Sequence, residues 1–444
     1  MWYGRITVGN SKISPKPFQP PKFYSSDSKF ILDELKLTAN VKTSNLLVGN
    51  GFYRITRKLI LISQTVFGIF PVRGLRQPTS EHLKFNMKSF SFIYSMVIQM
   101  CIIFMFSTSI YKQLNSKIVY TKVVKFVFFF LNFLVYLNFT IVARKWPQYV
   151  KHWERAEQKL LELHIMQQQN QQVQRKIWKI AIVIMFLALI EHNLGIASGV
   201  YVSKSCWGVH SAEEAYFRQS FTDFFASFKF NIYLGLFAQI VNLFCAFAWN
   251  FIDVYLIIVS VLLTEKFACI NRRLESNLSV HSSKFWNEIW CGYKICVELV
   301  DRTNELNGGT ILISFFSNLY FICVQLLGCF KSESSILDGL YLWFSLIFLI
   351  ARTLALCLFA SEINDESLKP LQTLRSIHSD YFDITMNRFT EQLMNGKVAL
   401  TGINFFYLTR KLILSISGTV VTYVLVMVQF NEAEEKESDN NPCT

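Results

Sequence analysis

Charged residues are scarce in this sequence. They make up 17% of its 444 residues, whereas average soluble domains carry about 25%. Hydrophobic residues make up 52% and form uninterrupted apolar runs of bilayer length, which a soluble core does not accommodate. The scarcity of charge therefore excludes an ordinary soluble domain and predicts a polytopic membrane protein.

Signals of secretion and catalysis are missing as well. The first 30 residues contain no apolar stretch of signal-peptide length, so we expect membrane insertion to begin at the first membrane helix. The sequence has no CxxC pair, no metal-ligand spacing among its seven histidines, no P-loop and no GxSxG motif. We therefore expect no enzyme activity, no metal and no cofactor. Among the ten cysteines, Cys206 and Cys443 alone are expected outside the membrane, which leaves a disulfide between them open.

Seven apolar segments are each long enough to span hydrocarbon as a helix, which takes about 20 residues. They are 88–111, 120–143, 177–203, 227–264, 306–330, 336–361 and 403–430. Amphipathic sequence without proline lies between the fourth and fifth segments, so we expect both helices to continue beyond the membrane. The run 58–72 ends beside Pro71 and is interpreted as a short surface or re-entrant helix. The fold prediction is all-α, with seven transmembrane helices.

The net charge of +13 is distributed over the connections between these segments. That distribution favours a membrane surface, and not nucleic acid, as the partner of the basic residues. Lys and Arg are concentrated before the first span and in the second-to-third, fourth-to-fifth and sixth-to-seventh connections. The first-to-second connection departs from this pattern with Lys112, Lys117 and Lys122. The balance predicts a cytosolic N-terminus and an extracellular C-terminus, the reverse of a G-protein-coupled receptor.

The C-terminal run "ALTGINFFYLTRKLILSISGTVVTYVLVMVQF" carries a specific resemblance. Its pattern of Thr422, Tyr423, five mostly apolar residues, Gln429 and Phe430 resembles the signature of insect gustatory receptors. The stretches "LIEHNLGI", "WNFIDVYLI", "LISFFSNLYFICVQLL" and "INDESLKPLQTLR" are similar to the sugar-sensing branch of that family. The resemblance covers residues from about 60 to 430.

Membership of that family implies a sugar-gated, non-selective cation channel in the plasma membrane of gustatory sensory neurons. The resemblance implies a homo- or heterotetramer with an extracellular-side pocket in each subunit and a pore lined by the seventh helices. It also implies a mono- or disaccharide ligand, permeating cations and membrane lipid as partners. The expected domains are a disordered segment 1–50, an interfacial segment 51–87, a ligand-binding domain 88–361, a cytosolic anchoring connection 362–402, the pore helix 403–430 and an extracellular acidic tail 431–444.

The last helix carries a polar stripe at its exterior end. Thr422 and Gln429 are seven residues apart and share one face, with Val426 between them and Phe430 beside them. A lone amide in a membrane helix usually makes an interhelical hydrogen bond. Around a symmetry axis, however, these residues would form stacked rings that close a pore by dewetting and wet it when it widens. We therefore assign Thr422, Tyr423, Val426, Gln429 and Phe430 to the pore and gate.

Polar and aromatic residues also cluster in the outer halves of several spans. Amides and carboxylates pair sugar hydroxyls, and aromatic rings cover the apolar face of a sugar. For any single residue, interhelical hydrogen bonding is the simpler explanation, and the clustering is what favours a pocket. The predicted ligand residues are Asn132, Tyr136, Glu191, Asn231, Gln239, Asn242, Asn318, Gln325, Asp338, Tyr341 and Trp343.

Charges within the spans need partners. Glu191 and Arg352 lie at matching depth and could form a buried pair, or Glu191 could face the sugar instead. Asp253, near the cytosolic edge, is assigned to structure, and His192 to a buried histidine rather than a ligand. Two other functions remain open: a metabotropic seven-helix taste receptor, and a non-conducting subunit that requires a partner receptor.

Overall fold

The computed structural model describes residues 51–114, 120–166, 171–206, 211–277, 282–329, 336–377, 383–412, 414–418 and 420–422. Its helices are α1 (Phe52–Phe67), α2 (Phe90–Leu114), α3 (Tyr120–Glu162), α4 (Gln171–Cys206), α5 (Ala212–Ser220), α6 (Thr222–Ser227), α7 (Ile232–Ser276), α8 (Ser283–Cys329), α9 (Ile336–Arg375) and α10 (Ile384–Asn395), with a 3₁₀ turn at Ser80–His82. Extended pairing in these ranges is limited to two isolated bridges, Arg73 with Lys84 and Thr401 with Tyr407. The all-α prediction is confirmed.

Six helices of the described ranges are long and apolar enough to cross a membrane: α2, α3, α4, α7, α8 and α9. They correspond to the first six predicted spans, with the fourth beginning at Ile232 instead of 227. The count of seven spans and the cytosolic N-terminus stay predictions. Helix α7 is central, since 83% of its most apolar window is buried, whereas α2 and α4 bury 28% and 17% and turn most of their apolar surface outward.

Helices α7 and α8 continue well past their apolar parts, as the sequence predicts. They contain 45 and 47 residues, which at about 1.5 Å per residue is roughly 70 Å and more than twice the hydrocarbon thickness. Helix α3 extends in the same way to Glu162 with Pro147 inside it, which the sequence analysis did not anticipate.

Helix α1, the predicted surface or re-entrant helix, packs one face into the bundle. Its Phe52 ring stacks on Trp153 of α3 at 4.2 Å between centroids. The Phe52 amide donates to the Glu157 carboxylate, whose Oε1 also lies 2.6 Å from Lys266 Nζ of α7. Gly68 ends the helix in the left-handed conformation, with φ of 64°.

The last segment becomes helical later than predicted. Helical residues occur at 410–412, 414–418 and 420–422 rather than from 403 onward. Ile403 and Asn404 have φ of 51° and 62°, which interrupts any helix. Asn304 of α8 holds the preceding backbone by donating to the Ala399 carbonyl and accepting from the Thr401 amide, so tertiary contacts keep it extended.

Candidate functional site

A cavity of about 340 Å³ lies within the bundle, at the end that carries α5 and α6. Its volume is near the lower end of the range of small-molecule sites, about 300–1,000 Å³. The aromatic wall residues are Phe128, Phe129, Tyr216, Phe221, Phe224, Trp249, Phe321 and Tyr341. The charged, amide and imidazole residues are Lys125, Glu191, His192, Asp223, Gln239, Asn242 and Asn250. Such a wall offers rings to an apolar face and hydrogen-bond partners to hydroxyl groups.

Helix α7 supplies one face of this cavity. Gln239, Asn242, Ala246, Trp249 and Asn250 all line it. Their spacings of three, four, three and one bring them to one side of an α-helix. The central position of α7 turns that face toward the other helices instead of lipid, so the polar stripe becomes a cavity wall.

Glu191 enters the cavity from α4 and is held by a polar chain. The Ser345 hydroxyl of α9 donates to Glu191 Oε1 at 2.5 Å. Gln325 of α8 donates in turn to Ser345 Oγ at 2.9 Å. Glu191 therefore keeps oxygen lone pairs available at the cavity surface, while Gln325 supports it through Ser345.

Tyr341 packs against a glycine of α4 where it lines the cavity. A Cβ placed on Gly195 would lie 3.0 Å from Tyr341 Cε2, tighter than ordinary carbon–carbon contact. The absence of a side chain at Gly195 therefore lets the Tyr341 ring of α9 approach the backbone of α4.

Gln239 links α7 to the short helix α5. The Tyr216 hydroxyl donates to Gln239 Oε1 at 3.1 Å, and His192 Nε2 lies 3.5 Å from Gln239 Nε2. Burial raises the pKa of the Tyr216 phenol, so this group stays a neutral donor at physiological pH. His192, which the sequence analysis assigned to the core, lines the cavity.

The structure brings Glu191, Gln239, Asn242 and Tyr341 together in the cavity wall, and it places the other seven predicted ligand residues elsewhere. Of these, Gln325 bonds Ser345, and Asp338 accepts from Ser198 at 3.0 Å. Trp343 is 51% exposed on the outside of the bundle.

The remaining four make local or interhelical hydrogen bonds. Tyr136 donates to the Phe67 carbonyl, Asn132 donates to the Phe128 carbonyl, Asn231 caps α7 by accepting from the Tyr233 amide, and Asn318 donates to Asp253. The Asn132 bond lies within its own helix, the Asn231 bond is a cap, and the other two are the interhelical bonds that single polar residues in membrane helices commonly make. A ligand role for these seven residues stays a prediction.

Arg352 forms its ion pair with Asp253. Arg352 Nε lies 2.8 Å from Asp253 Oδ2, and both side chains are at most 1% exposed. Asn318 donates to Asp253 Oδ2 at 2.9 Å, and Ser314 donates to Oδ1 at 2.5 Å. The sequence left open a Glu191–Arg352 pair or a Glu191 that faces the sugar. In the structure Arg352 pairs with Asp253, which the sequence did not predict, and Glu191 lines the cavity.

Trp249 and Asn250 lie between this ion pair and the cavity. The Arg352 guanidinium carbon is 4.8 Å from the centroid of the Trp249 ring, and Arg352 donates to Asn250 Oδ1. Both residues also line the cavity. The buried ion pair therefore forms part of the support beneath the cavity floor.

Several cavity residues lie outside the predicted polar clusters, among them Ser109, Lys125, Tyr216 and Asp223. The Ser109 hydroxyl donates to Asp223 Oδ2 at 3.2 Å, while Asp223 Oδ1 is buried with no partner among the described residues. Lys125 donates to Thr222 Oγ1 at 3.0 Å. Asp223 and Tyr216 belong to the connection between the third and fourth predicted spans, 177–203 and 227–264. Its acidic and aromatic content was a signal, but hydropathy does not indicate which loop side chains fold back into a bundle.

The pore residues lie almost wholly beyond the described ranges. Thr422 is exposed, and its hydroxyl donates to the Gly418 carbonyl at 2.9 Å. Tyr423, Val426, Gln429 and Phe430 lie outside the described residues, as do the acidic tail, Cys443 and the segment 1–50. Across the described part of the chain, no group of three or more His, Cys, Asp or Glu side chains could hold a metal ion.

Comparison with known proteins identifies relatives over nearly the whole chain. A family model described as Trehalose receptor matches residues 29–443. The chain is 32% identical over 399 residues to the Drosophila melanogaster gustatory receptor for sugar taste 64f, covering 89% of this chain and 84% of that one. It is also 32% identical to the Drosophila melanogaster gustatory receptor 5a for trehalose, covering 90% and 89%.

A solved structure has a similar fold. The insect olfactory receptor OR5 from Machilis hrabei superposes with a TM-score of 0.65 at 16% identity, covering 85% of this chain and 99% of that one. At this identity the likeness concerns the fold alone.

Proposed function

Because the chain belongs to the trehalose receptor family, a family of receptors and not of enzymes, we propose that it is a gustatory receptor that opens a cation channel when it binds a sugar. One observation carries the proposal. The cavity combines aromatic rings with Glu191, Gln239 and Asn242 in one wall, which is the chemistry a sugar requires. Trehalose is the first ligand to test, because a relative at 32% identity is described as a receptor for it.

We propose that the sugar lies in this cavity with its hydroxyl groups paired by the acid and amide side chains. The ring faces of Trp249 and Tyr341 suit the apolar C–H surface of a pyranose. Gating follows if the cavity binds sugar more tightly in the open state than in the closed state, since only differential affinity shifts an equilibrium.

The proposed assembly is a homo- or heterotetramer in the plasma membrane of gustatory sensory neurons, with the seventh helices around the pore. The stripe of Val426, Gln429 and Phe430 supports this placement. Val426→Ala or Phe430→Ala should pass current without ligand, because a smaller apolar ring dewets less readily. If both variants stay closed until sugar is added, these residues are not the gate.

The decisive experiment is whole-cell recording from cells that express this chain alone, with trehalose and a panel of other mono- and disaccharides. The proposal expects an inward cation current within milliseconds of sugar application and independent of G-protein signalling. A response that requires G-protein signalling would support the metabotropic alternative. If the chain alone gives no current and co-expression of a second gustatory receptor restores it, the chain is a non-conducting subunit that requires a partner.

Topology provides an independent test. An epitope tag after Thr444 should bind antibody on intact cells if the C-terminus is extracellular. A tag reached only after permeabilisation would contradict the proposed orientation.

A further inference from the structure

A second cavity lies apart from the sugar site, between α1, the loop 72–86 and the start of α2. Its volume is about 900 Å³. Three of its charged side chains are Arg73, Arg76 and Lys84, all exposed. We call this feature, defined by Arg73, Arg76, Lys84, Phe85, Phe90 and Tyr94, the basic groove.

The loop that carries the basic groove is firmly held. The Arg73 amide donates to the Lys84 carbonyl at 2.9 Å, and the Lys84 amide donates back to the Arg73 carbonyl at 3.0 Å. The Tyr53 hydroxyl of α1 donates to the Gln77 carbonyl at 3.0 Å. Gly74 has φ of 96°, and a Cβ there would lie 2.1 Å from the His82 carbonyl oxygen. The backbone that carries the three basic side chains is therefore held in place by the fold itself.

This arrangement places like charges opposite each other. Arg73 and Lys84 face across an antiparallel bridge, where side chains of the same sign are destabilising. Within the described residues no salt bridge engages Arg73, Arg76 or Lys84, and Glu81 is the acid that lines the same cavity. An anion seated between the basic side chains would remove this repulsion.

The other side of the groove is aromatic and continues onto a membrane-crossing helix. Phe90 and Tyr94 belong to the first turns of α2, and Phe90 is 83% exposed. Phe85, next to Lys84 in the loop, lines the same cavity and contacts Phe92 of α2 at 5.7 Å between ring centroids. A ligand that fills the whole groove therefore has an anionic end and an apolar end.

We infer that the basic groove binds an anionic phospholipid, with the phosphorylated headgroup between Arg73, Arg76 and Lys84 and an acyl chain along α2. Basic pockets beside membrane helices on the cytosolic side recognise polyphosphorylated headgroups in this way. The inference uses the predicted cytosolic orientation of residues 51–87 and does not depend on sugar gating. A result that disproves lipid binding would not affect the proposed sugar gating, and the reverse also holds.

The test measures lipid binding directly. Full-length protein in neutral detergent is titrated with fluorescent short-chain phosphatidylinositol bisphosphate, and binding is followed by anisotropy. Soluble inositol trisphosphate and short-chain phosphatidylcholine are the two comparison ligands. We expect the phosphorylated lipid to bind, the soluble headgroup to compete more weakly and phosphatidylcholine not to compete.

The main variant is Arg73→Gln/Arg76→Gln/Lys84→Gln. It should bind the lipid about a hundredfold more weakly, since each basic residue at a membrane surface contributes roughly fivefold. The matched control is Arg144→Gln/Lys145→Gln/Arg175→Gln, which removes the same charge from exposed positions outside the groove and should bind like wild type. Wild-type affinity in the main variant would overturn the proposal.

Two further variants separate the contribution of the headgroup from that of the acyl chain. The single change Arg76→Gln lies outside the backbone bridge and should lower affinity about fivefold without affecting folding. Phe90→Ser should weaken the lipid but not inositol trisphosphate, because only the lipid has an acyl chain. Equal affinity of wild type for the lipid and the soluble headgroup would overturn the lipid assignment in favour of a soluble phosphate ligand.

Discussion

Two groups of polar side chains lie side by side in this bundle, and they differ in how fully their hydrogen bonds are made. In the group around Asp253 and Arg352, both Asp253 oxygens accept hydrogen bonds. The guanidinium faces an acid, two amides and a ring, although its Nε makes an ion pair with Asp253 without hydrogen-bond geometry. In the cavity wall, Asp223 Oδ1 and Trp249 Nε1 are buried with no partner among the described residues. Buried polar groups without partners are costly. We call the first the satisfied group, because both Asp253 oxygens are bonded, and we expect it to hold the fold, whereas we expect the cavity group to contact the ligand.

The largest expected effect comes from breaking the satisfied group. Arg352→Met leaves the Asp253 carboxylate buried without its cation, and losing one partner of a buried ion pair costs about 3–5 kcal/mol. We expect a large drop in surface expression and in the melting temperature of the purified protein. The double variant Asp253→Asn/Arg352→Met should recover much of both. Normal stability of Arg352→Met alone would mean that the ion pair does not support the fold.

The substitution Glu191→Gln in the cavity wall should have a smaller effect, and on sugar potency instead of stability. This substitution keeps the shape of the side chain but replaces the carboxylate to which a sugar hydroxyl would donate a hydrogen bond. A hydrogen bond to a charged group is worth about 1.5–3 kcal/mol, so sugar potency should fall roughly 10- to 100-fold while surface expression stays near wild type. If expression falls and the potency of the remaining receptor does not change, Glu191 belongs with the satisfied group.

Gln325→Leu tests the hydrogen bond from Gln325 to Ser345, the residue that donates to Glu191. The change removes the donor to Ser345 and leaves Glu191 in place, so the expected loss is that of one neutral hydrogen bond, about 0.5–1.5 kcal/mol. Sugar potency should shift severalfold, with pore selectivity and surface expression unchanged. An unmoved dose–response curve would assign Gln325 to helix packing alone.

Trp343→Ala should have the smallest effect. The side chain is 51% exposed and does not line the cavity, and surface substitutions usually change stability by less than about 0.5 kcal/mol. Dose–response curves for sugar should overlay those of wild type. A clear loss of potency would mean that the sugar site extends beyond the cavity toward the outer face of α9.

The gap between predicted and observed cavity residues has a physical reason. Helical spacing correctly grouped Gln239 and Asn242 on one face of α7, because side-chain direction along a helix follows from the sequence interval. It could not distinguish Tyr136 or Asn132 from cavity residues, because the same polar residues also make interhelical bonds, as Tyr136 does, or bonds within their own helix, as Asn132 does. Asp223 and Tyr216 were missed because they reach the cavity from short helices between the spans.

The sequence by itself determined the all-α architecture and the six membrane-length helices of the described ranges. Backbone in hydrocarbon must satisfy its own hydrogen bonds, so long apolar runs have little choice but to form helices. The continuation of α7 and α8 beyond those runs followed from amphipathic sequence without proline. The length and hydropathy of a segment are properties of contiguous sequence, so they can be read without knowing how the helices pack.

Tertiary structure alone decided which polar groups meet. Arg352 pairs with Asp253, which is 99 positions away and was expected nearer the cytosolic edge, and not with Glu191, which was expected at the depth of Arg352. Asn304 of a distant helix holds residues 399–401 extended, and the positive φ of Ile403 and Asn404 interrupts any helix after them, so helical residues begin only at 410. Depth in the membrane restricts which residues could pair, but the rotation and neighbours of each helix, set by packing of the whole bundle, select the pair that forms.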